Sequence, residues 1–239
     1  MADPALTVAP ALLGASVEFV RDNLGLLVTR LVEHVIITAE TVLVAVPIAV
    51  TLGVLITYDD RAATAVLWLA GIAMTIPSLA AFGLLVPFLG IGSPPVVFTL
   101  VLYSQLPIIR NTYVGLTGVE EATTEAGRGL GMTRWQRLRR IQIPMALPII
   151  LAGVRNAVVI VVGVAAVGAF IGAGGLGEFI FNGIRQGDSV TILVATVVVS
   201  ALALAADYGI ATVEQLLRLR NGERIRPRAS TRLIRRAIR

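Results

Sequence analysis

Cysteine and lysine are both absent from the 239 residues, and histidine occurs once. Without cysteine there can be neither a disulfide nor a thiolate metal site. Without lysine the chain cannot supply the phosphate-loop lysine that grips ATP, and no G-x-x-x-x-G-K-[ST] run is present. The lone His34, near the start of an apolar run, reads as a packed or interfacial residue and not as a ligand. Charge is scarce as well: Asp, Glu, Lys and Arg make up 15% of the chain, against about a quarter in soluble domains. With 56% hydrophobic residues and a mean hydropathy of +0.85, the composition is that of an all-α integral membrane protein.

What is there falls into long apolar runs. A helix needs roughly 20 apolar residues to cross about 30 Å of hydrocarbon. Five segments meet or approach this length: about 33–56, 64–89, 94–110, 146–169 and 190–212. The third is short and holds Tyr103, Ser104 and Gln105, so it is expected to face protein or a cavity and not lipid. Pro47 and Pro77 lie inside spans, where they free backbone carbonyls and permit bends. Ahead of the first span, Val17, Val20, Leu24, Leu27 and Leu31 recur at helical spacing, which predicts an amphipathic helix at the interface or an extension of the span. The first 20 residues carry neither a basic leader nor a small-residue cleavage site, and are expected to be retained.

All 20 basic residues are arginine, which together with abundant Ala and Val suggests a GC-rich bacterial source, and their placement sets an orientation. One lies in 57–63, six in 110–145 and nine in 218–239; the opposite face has Arg21, Arg30 and Arg185. Loops rich in Lys and Arg stay cytoplasmic. The N-terminus is therefore expected outside, with the 110–145 loop and the tail inside. The tail reads as a head-group anchor or a solvated end, not as a nucleic-acid arm, since it leaves a span directly and has no interleaved aromatics.

Between the third and fourth spans runs Thr117 to Pro148, TGVEEATTEAGRGLGMTRWQRLRRIQIPMALP, the one long charged interval between apolar regions. Thr117 with Glu120, and Thr133 with Gln136, read as two capping boxes. Gly129 and Gly131 are expected to break the first helix and form an elbow, and Pro144 to sit in the first turn of the next.

Glu125 and Ala126, then Gly131, then nine residues, then Ile141, Gln142, Ile143 and Pro144, resemble the cytoplasmic loop signature of permease subunits in binding-protein-dependent ABC importers. That signature usually reads Glu-Ala-Ala, three residues, Gly, nine residues, Ile-x-Leu-Pro; here Gly127 stands for the second Ala and Ile143 for Leu. The runs TIPSLA (75–80), LPIIRNTYVGL (106–116), IPMALPIILAGVRNA (143–157) and IGAGGLGEFIF (171–181) further resemble the osmoprotectant group, importers of glycine betaine, carnitine, choline or proline betaine.

The resemblance implies a type I importer permease fold of about five transmembrane helices, with a coupling helix between the third and fourth. It implies a permease domain over 31–214, flanked by an N-terminal segment 1–30 and an Arg-rich tail 215–239, in a bacterial inner membrane. It also implies that Glu125, Ala126, Gly127, Gly131, Ile141 and Pro144 belong to the segment that docks on a separate cytoplasmic ATPase, which alone uses ATP. An external solute-binding protein and a second permease, identical or sister, complete the assembly. On this reading the chain is not an enzyme and binds no cofactor. A permease of the same type for methionine or another amino acid, and a secondary transporter, remain open; an inverted repeat would favour the latter, and none is evident.

Two features need separate accounts. Gly172, Gly174 and Gly177 fit G-x-G-x-x-G, but no strand-turn-helix unit surrounds them, so they read as a glycine-rich re-entrant turn and not as a dinucleotide site. Arg155 and Asp207 lie at similar depth within the fourth and fifth spans, and form a candidate intramembrane pair; the competing reading has Arg155 snorkelling to the interface. Glu40, in the outer part of the first span, either attracts a cation or reaches the head groups.

Overall fold

The structure, a computed structural model, describes residues 4–221, and among these there is no strand. The order is α1 (Pro4–Leu55), a 3-10 turn (Ile56–Tyr58), α2 (Asp60–Thr75), α3 (Ser78–Leu89), α4 (Ser93–Thr117), α5 (Glu121–Gly129), α6 (Arg134–Arg137), a π-turn (Leu138–Gln142), α7 (Ile143–Gly168), a 3-10 turn (Ala169–Ile171), α8 (Gly177–Gln186) and α9 (Ser189–Arg220). Most of the Arg-rich tail, from 222 onward, lies outside the described residues.

The spans 12–58, 134–171 and 189–219 are each long and apolar enough to cross a membrane, and α2 with α3 would add a fourth. α4 has the length, 25 residues, but buries Tyr103, Ser104 and Gln105 in protein. Pro77 does more than bend the second segment. It takes ψ 131 at the N-cap of α3 and splits the expected 64–89 helix in two, because its missing N–H and the restriction on Ile76 stop the preceding helix. The N-terminal stripe is not a separate element: α1 is one helix of 52 residues.

Two compact units divide the chain: Met1–Leu43 with Ile76–Val101 and Ile160–Leu204, and Val44–Thr75 with Leu102–Val159 and Ala205–Arg239. In the first, Ile37, Phe82, Val96, Leu100, Val161 and Ala165 form one buried cluster. Leu27, Phe179, Val194 and Ala195 form another, with Phe19 edge-on to Phe179 at 5.9 Å. The turn after α7 sits in this unit. Gly175, at φ +76, donates its N–H to Glu33 Oε2 at 2.9 Å. Arg30 holds both Glu33 (2.8 Å) and Glu178 (2.6 Å), so one guanidinium ties α1 to the start of α8. A Cβ at Gly177 would stand 1.9 Å from the Ala166 carbonyl oxygen, which makes glycine obligatory where α8 begins. The backbone N–H of Gly175 is thus occupied by a carboxylate of the chain itself, as the structural reading of the glycine run requires. His34, 1% exposed, donates from Nε2 to the Val162 carbonyl at 3.0 Å.

In the second unit, Leu116, Leu138, Ala146 and Ile150 pack with Val50, Val54 and Ile143. Close backbone approach holds α4 in place. Gly53 faces Thr112, and Gly153 faces Asn111 and the Pro107 carbonyl, with no room for a Cβ at either glycine.

Candidate functional site

The charged loop grows out of this second cluster. α4 ends at Thr117, whose hydroxyl donates back to the Tyr113 carbonyl at 2.8 Å. Thr117 is therefore spent on the helix it closes, and the first expected capping box does not form; Glu120 stands at the N-cap of α5 without a side-chain bond. The second box does form. Thr133 Oγ1 accepts from Gln136 N at 3.2 Å, and Gln136 Oε1 accepts from Thr133 N at 2.8 Å.

α5 closes in a Schellman turn. Met132 N donates to Gly127 O (3.1 Å), and Gly131 N donates to Arg128 O (3.0 Å). Gly131 takes φ +75, the left-handed conformation that glycine adopts without a Cβ penalty. Gly129, by contrast, is still helical. The turn is locked from behind by Arg137, whose Nη1 donates to the Met132 carbonyl at 2.7 Å.

Four of the six loop residues singled out from the sequence divide into an inner and an outer pair. Gly127 is buried, and a Cβ there would meet Ile141 Cδ1 at 2.7 Å and Met132 Sδ at 3.3 Å; these residues make the inner contact of the loop. The Ala-to-Gly departure is thus matched by an isoleucine methyl in the vacated space. Glu125 and Ala126 face outward, beside Arg128 and Leu130, which is 82% exposed. Pro144 lies in the first turn of α7, and its carbonyl accepts from Asn221 Nδ2 at 3.0 Å. Trp135, 65% exposed, adds a second bare apolar side chain. The result is an exposed knob with a charged flank and an apolar tip.

Deeper in the same unit, Arg155 Nη1 lies 3.3 Å from Asp207 Oδ1, and Arg155 Nε lies 3.4 Å from Glu214 Oε2. The second contact is an ion pair without hydrogen-bond alignment. Arg218 joins Glu214 at 3.1 Å one turn further on. The structure brings the two sequence candidates together and adds two residues the sequence reading passed over. Asp207 and Glu214 are seven apart, hence on one face of α9, which is the signal that would have found the second acid. Among the described residues no group of three or more His, Asp or Glu side chains is placed to hold a metal.

Three comparisons bear on this arrangement. The chain is 44% identical over 198 residues to the osmoprotectant import permease protein OsmW of Salmonella typhimurium (strain LT2), covering 81% of this chain and 92% of that one. It is 40% identical over 197 residues to the glycine betaine/carnitine/choline transport system permease protein OpuCB of Bacillus subtilis (strain 168), covering 82% and 91% respectively. Its fold is that of a chain in the inward-facing MetNI methionine ABC transporter, with a TM-score of 0.72 at 20% identity over 82% of this chain and 98% of that one. Residues 42–219, which contain the knob, its glycine turn and the Arg155 cluster, match the family model for the binding-protein-dependent transport system inner membrane component, and the chain belongs to that family.

Proposed function

We propose that the chain is the permease subunit of an ATP-driven importer that brings a quaternary-ammonium osmoprotectant, such as glycine betaine, choline or carnitine, into the cell. The observation that carries this reading is the identity of about four residues in ten, across four fifths of the chain, with permeases named for these solutes. The likeness to the methionine transporter concerns fold alone. The permease makes and breaks no covalent bond; it offers two alternating openings, and its energy comes from a separate cytoplasmic ATPase. Supporting a separate motor, the chain has no lysine for a phosphate loop, and its water-facing knob has an unpaired apolar tip.

In this reading Glu125, Ala126, Gly127, Gly131, Ile141 and Pro144 build the coupling segment. Closure of the ATPase dimer would move α5, and through the unbroken run of α6, the π-turn and α7 would reach the membrane helices. The permease domain spans 31–214, between the segment 1–30 and the tail 215–239; the family match over 42–219 supports a domain of this extent. A second permease, itself or a sister chain, and an external solute-binding protein complete the assembly. The N-terminus is outside and the knob inside, as the arginine distribution favours.

The test is uptake of labelled glycine betaine and choline at raised osmolarity in cells lacking this chain, complemented with wild type or Gly131→Arg, alongside co-purification of the ATPase. Wild type is expected to restore uptake. The arginine variant, forced into φ +75 at a cost of roughly 1–2 kcal/mol, is expected to reach the membrane without restoring it. Restoration of uptake by Gly131→Arg would refute the coupling role; uptake of neither solute by the wild type, with the ATPase still co-purifying, would remove the solute assignment alone.

A further inference from the structure

Behind the knob lies a cavity of about 230 Å³ lined by Tyr58, Thr124, Arg134, Arg137 and Gln142. Its lining holds two guanidinium groups, two hydroxyls and one carboxamide, and no carboxylate. These five residues come from four separate elements: the 3-10 turn after α1, then α5, α6 and the π-turn. A second cavity of about 380 Å³ adjoins it, sharing Tyr58, Thr124 and Gln142, and there the nearest acid of either lining, Glu121, appears.

We propose that the smaller cavity is a binding site for a phosphate-type oxyanion. Thr124 spends its hydroxyl hydrogen on the Glu121 carbonyl at 2.8 Å, but the other four lining side chains keep donors to offer, and arginine pairs with phosphate through parallel N–H bonds of fixed geometry. Arg137 is already oriented by its bond to the Met132 carbonyl, so the entropy of fixing that side chain is lost before any ligand arrives. Arg134, one turn earlier on α6, faces the same space from the exposed side. An anion there would neutralise two like charges held close together. It would also cross-link the end of α1 to α5 and the π-turn, and so stiffen the base of the knob. The anion can be free phosphate or the head-group phosphate of an acidic lipid; basic pockets beside membrane helices take such head groups, and Tyr58, 58% exposed, has the amphipathic ring of an interfacial residue.

The experiment follows thermal unfolding of the full chain in nanodiscs. In phosphatidylcholine discs, inorganic phosphate is titrated against chloride at matched ionic strength; in a second arm, phosphatidylglycerol replaces part of the phosphatidylcholine without added phosphate. Arg134→Gln and Tyr58→Phe are compared with wild type; Arg137 is left intact because it holds the Schellman turn. A stabilisation of about 2–4 °C in at least one arm, lost in Arg134→Gln and weakened in Tyr58→Phe, is the expected result, and the responding arm identifies the source of the phosphate. No difference between phosphate and chloride together with no lipid effect, or an Arg134→Gln response equal to wild type, overturns the proposal.

Discussion

Asp188 stands one residue before α9, and its carboxylate caps the helix. Oδ1 accepts from Val190 N at 2.9 Å and from Thr191 N at 3.3 Å, and Thr191 Oγ1 donates to Oδ2. The Thr191 hydroxyl, followed by the backbone amides, holds the carboxyl below its ordinary value of 3.8. A depressed carboxyl pKa means that the folded chain binds its proton less readily than the unfolded one. The stabilisation is therefore complete above about pH 4 and is lost as pH falls through the lower, folded value. Asp188→Ala should unfold at a lower temperature than wild type at pH 6, and the gap should begin to narrow as the pH falls below about 4. A gap of constant size across that range would show that the cap is not what the carboxylate contributes. Nothing in the apolar periodicity of α9 announces this residue; the cue was the Asp-Ser-Val-Thr run just before it, an N-cap signature of the kind read at Thr133.

At the scale of the element, Arg155 on α7 links two acids on α9, and Asn221 joins the end of α9 to the start of α7 through Pro144. A charge in a membrane helix is costly alone and tolerable when paired. Arg155→Ala and Asp207→Ala should each destabilise the protein, and the double variant should lose less than the sum, with a coupling of about 0.5–3 kcal/mol by thermal unfolding. Strict additivity would mean that the two side chains share no interaction energy. Part of this region was legible in the sequence for a physical reason: depth within a span follows from counting residues at a fixed rise, so Arg155 and Asp207 could be matched in height. Pairing across α1 and the glycine turn could not be read in that way. Glu33 and Gly175 are 142 positions apart, and no periodicity relates them. The loop shows the same division. Thr133 and Gln136 had one helix to serve and their box formed, whereas Thr117 had two candidate partners and its hydroxyl took the preceding carbonyl. Gly131 had to turn because only glycine accepts that φ at no cost, yet Gly129, identical in type, stayed helical.

For the whole molecule, the absence of cysteine becomes an advantage. A single introduced thiol is unique, so Gln186→Cys at the end of α8 and Ala122→Cys on α5 test the proposed orientation. In intact cells a membrane-impermeant maleimide should label the first, and should label the second only after permeabilisation. The reverse pattern would invert the orientation drawn from the arginines. Along the chain, apolar length sets where the helices run, and small residues set how closely they meet.

The five-residue π-turn at Leu138–Gln142 sets one further property of the molecule. A π-turn is an α-helix carrying one residue too many, and one residue turns an α-helix by about 100°. The compass bearing of Arg134 and Trp135 relative to α7 is therefore fixed by a single inserted position. Deleting that position would leave α7 untouched and swing the proposed coupling surface round to another quarter. If the loop couples as proposed, the direction in which it pushes is thus a one-residue variable, separable from the course of α7.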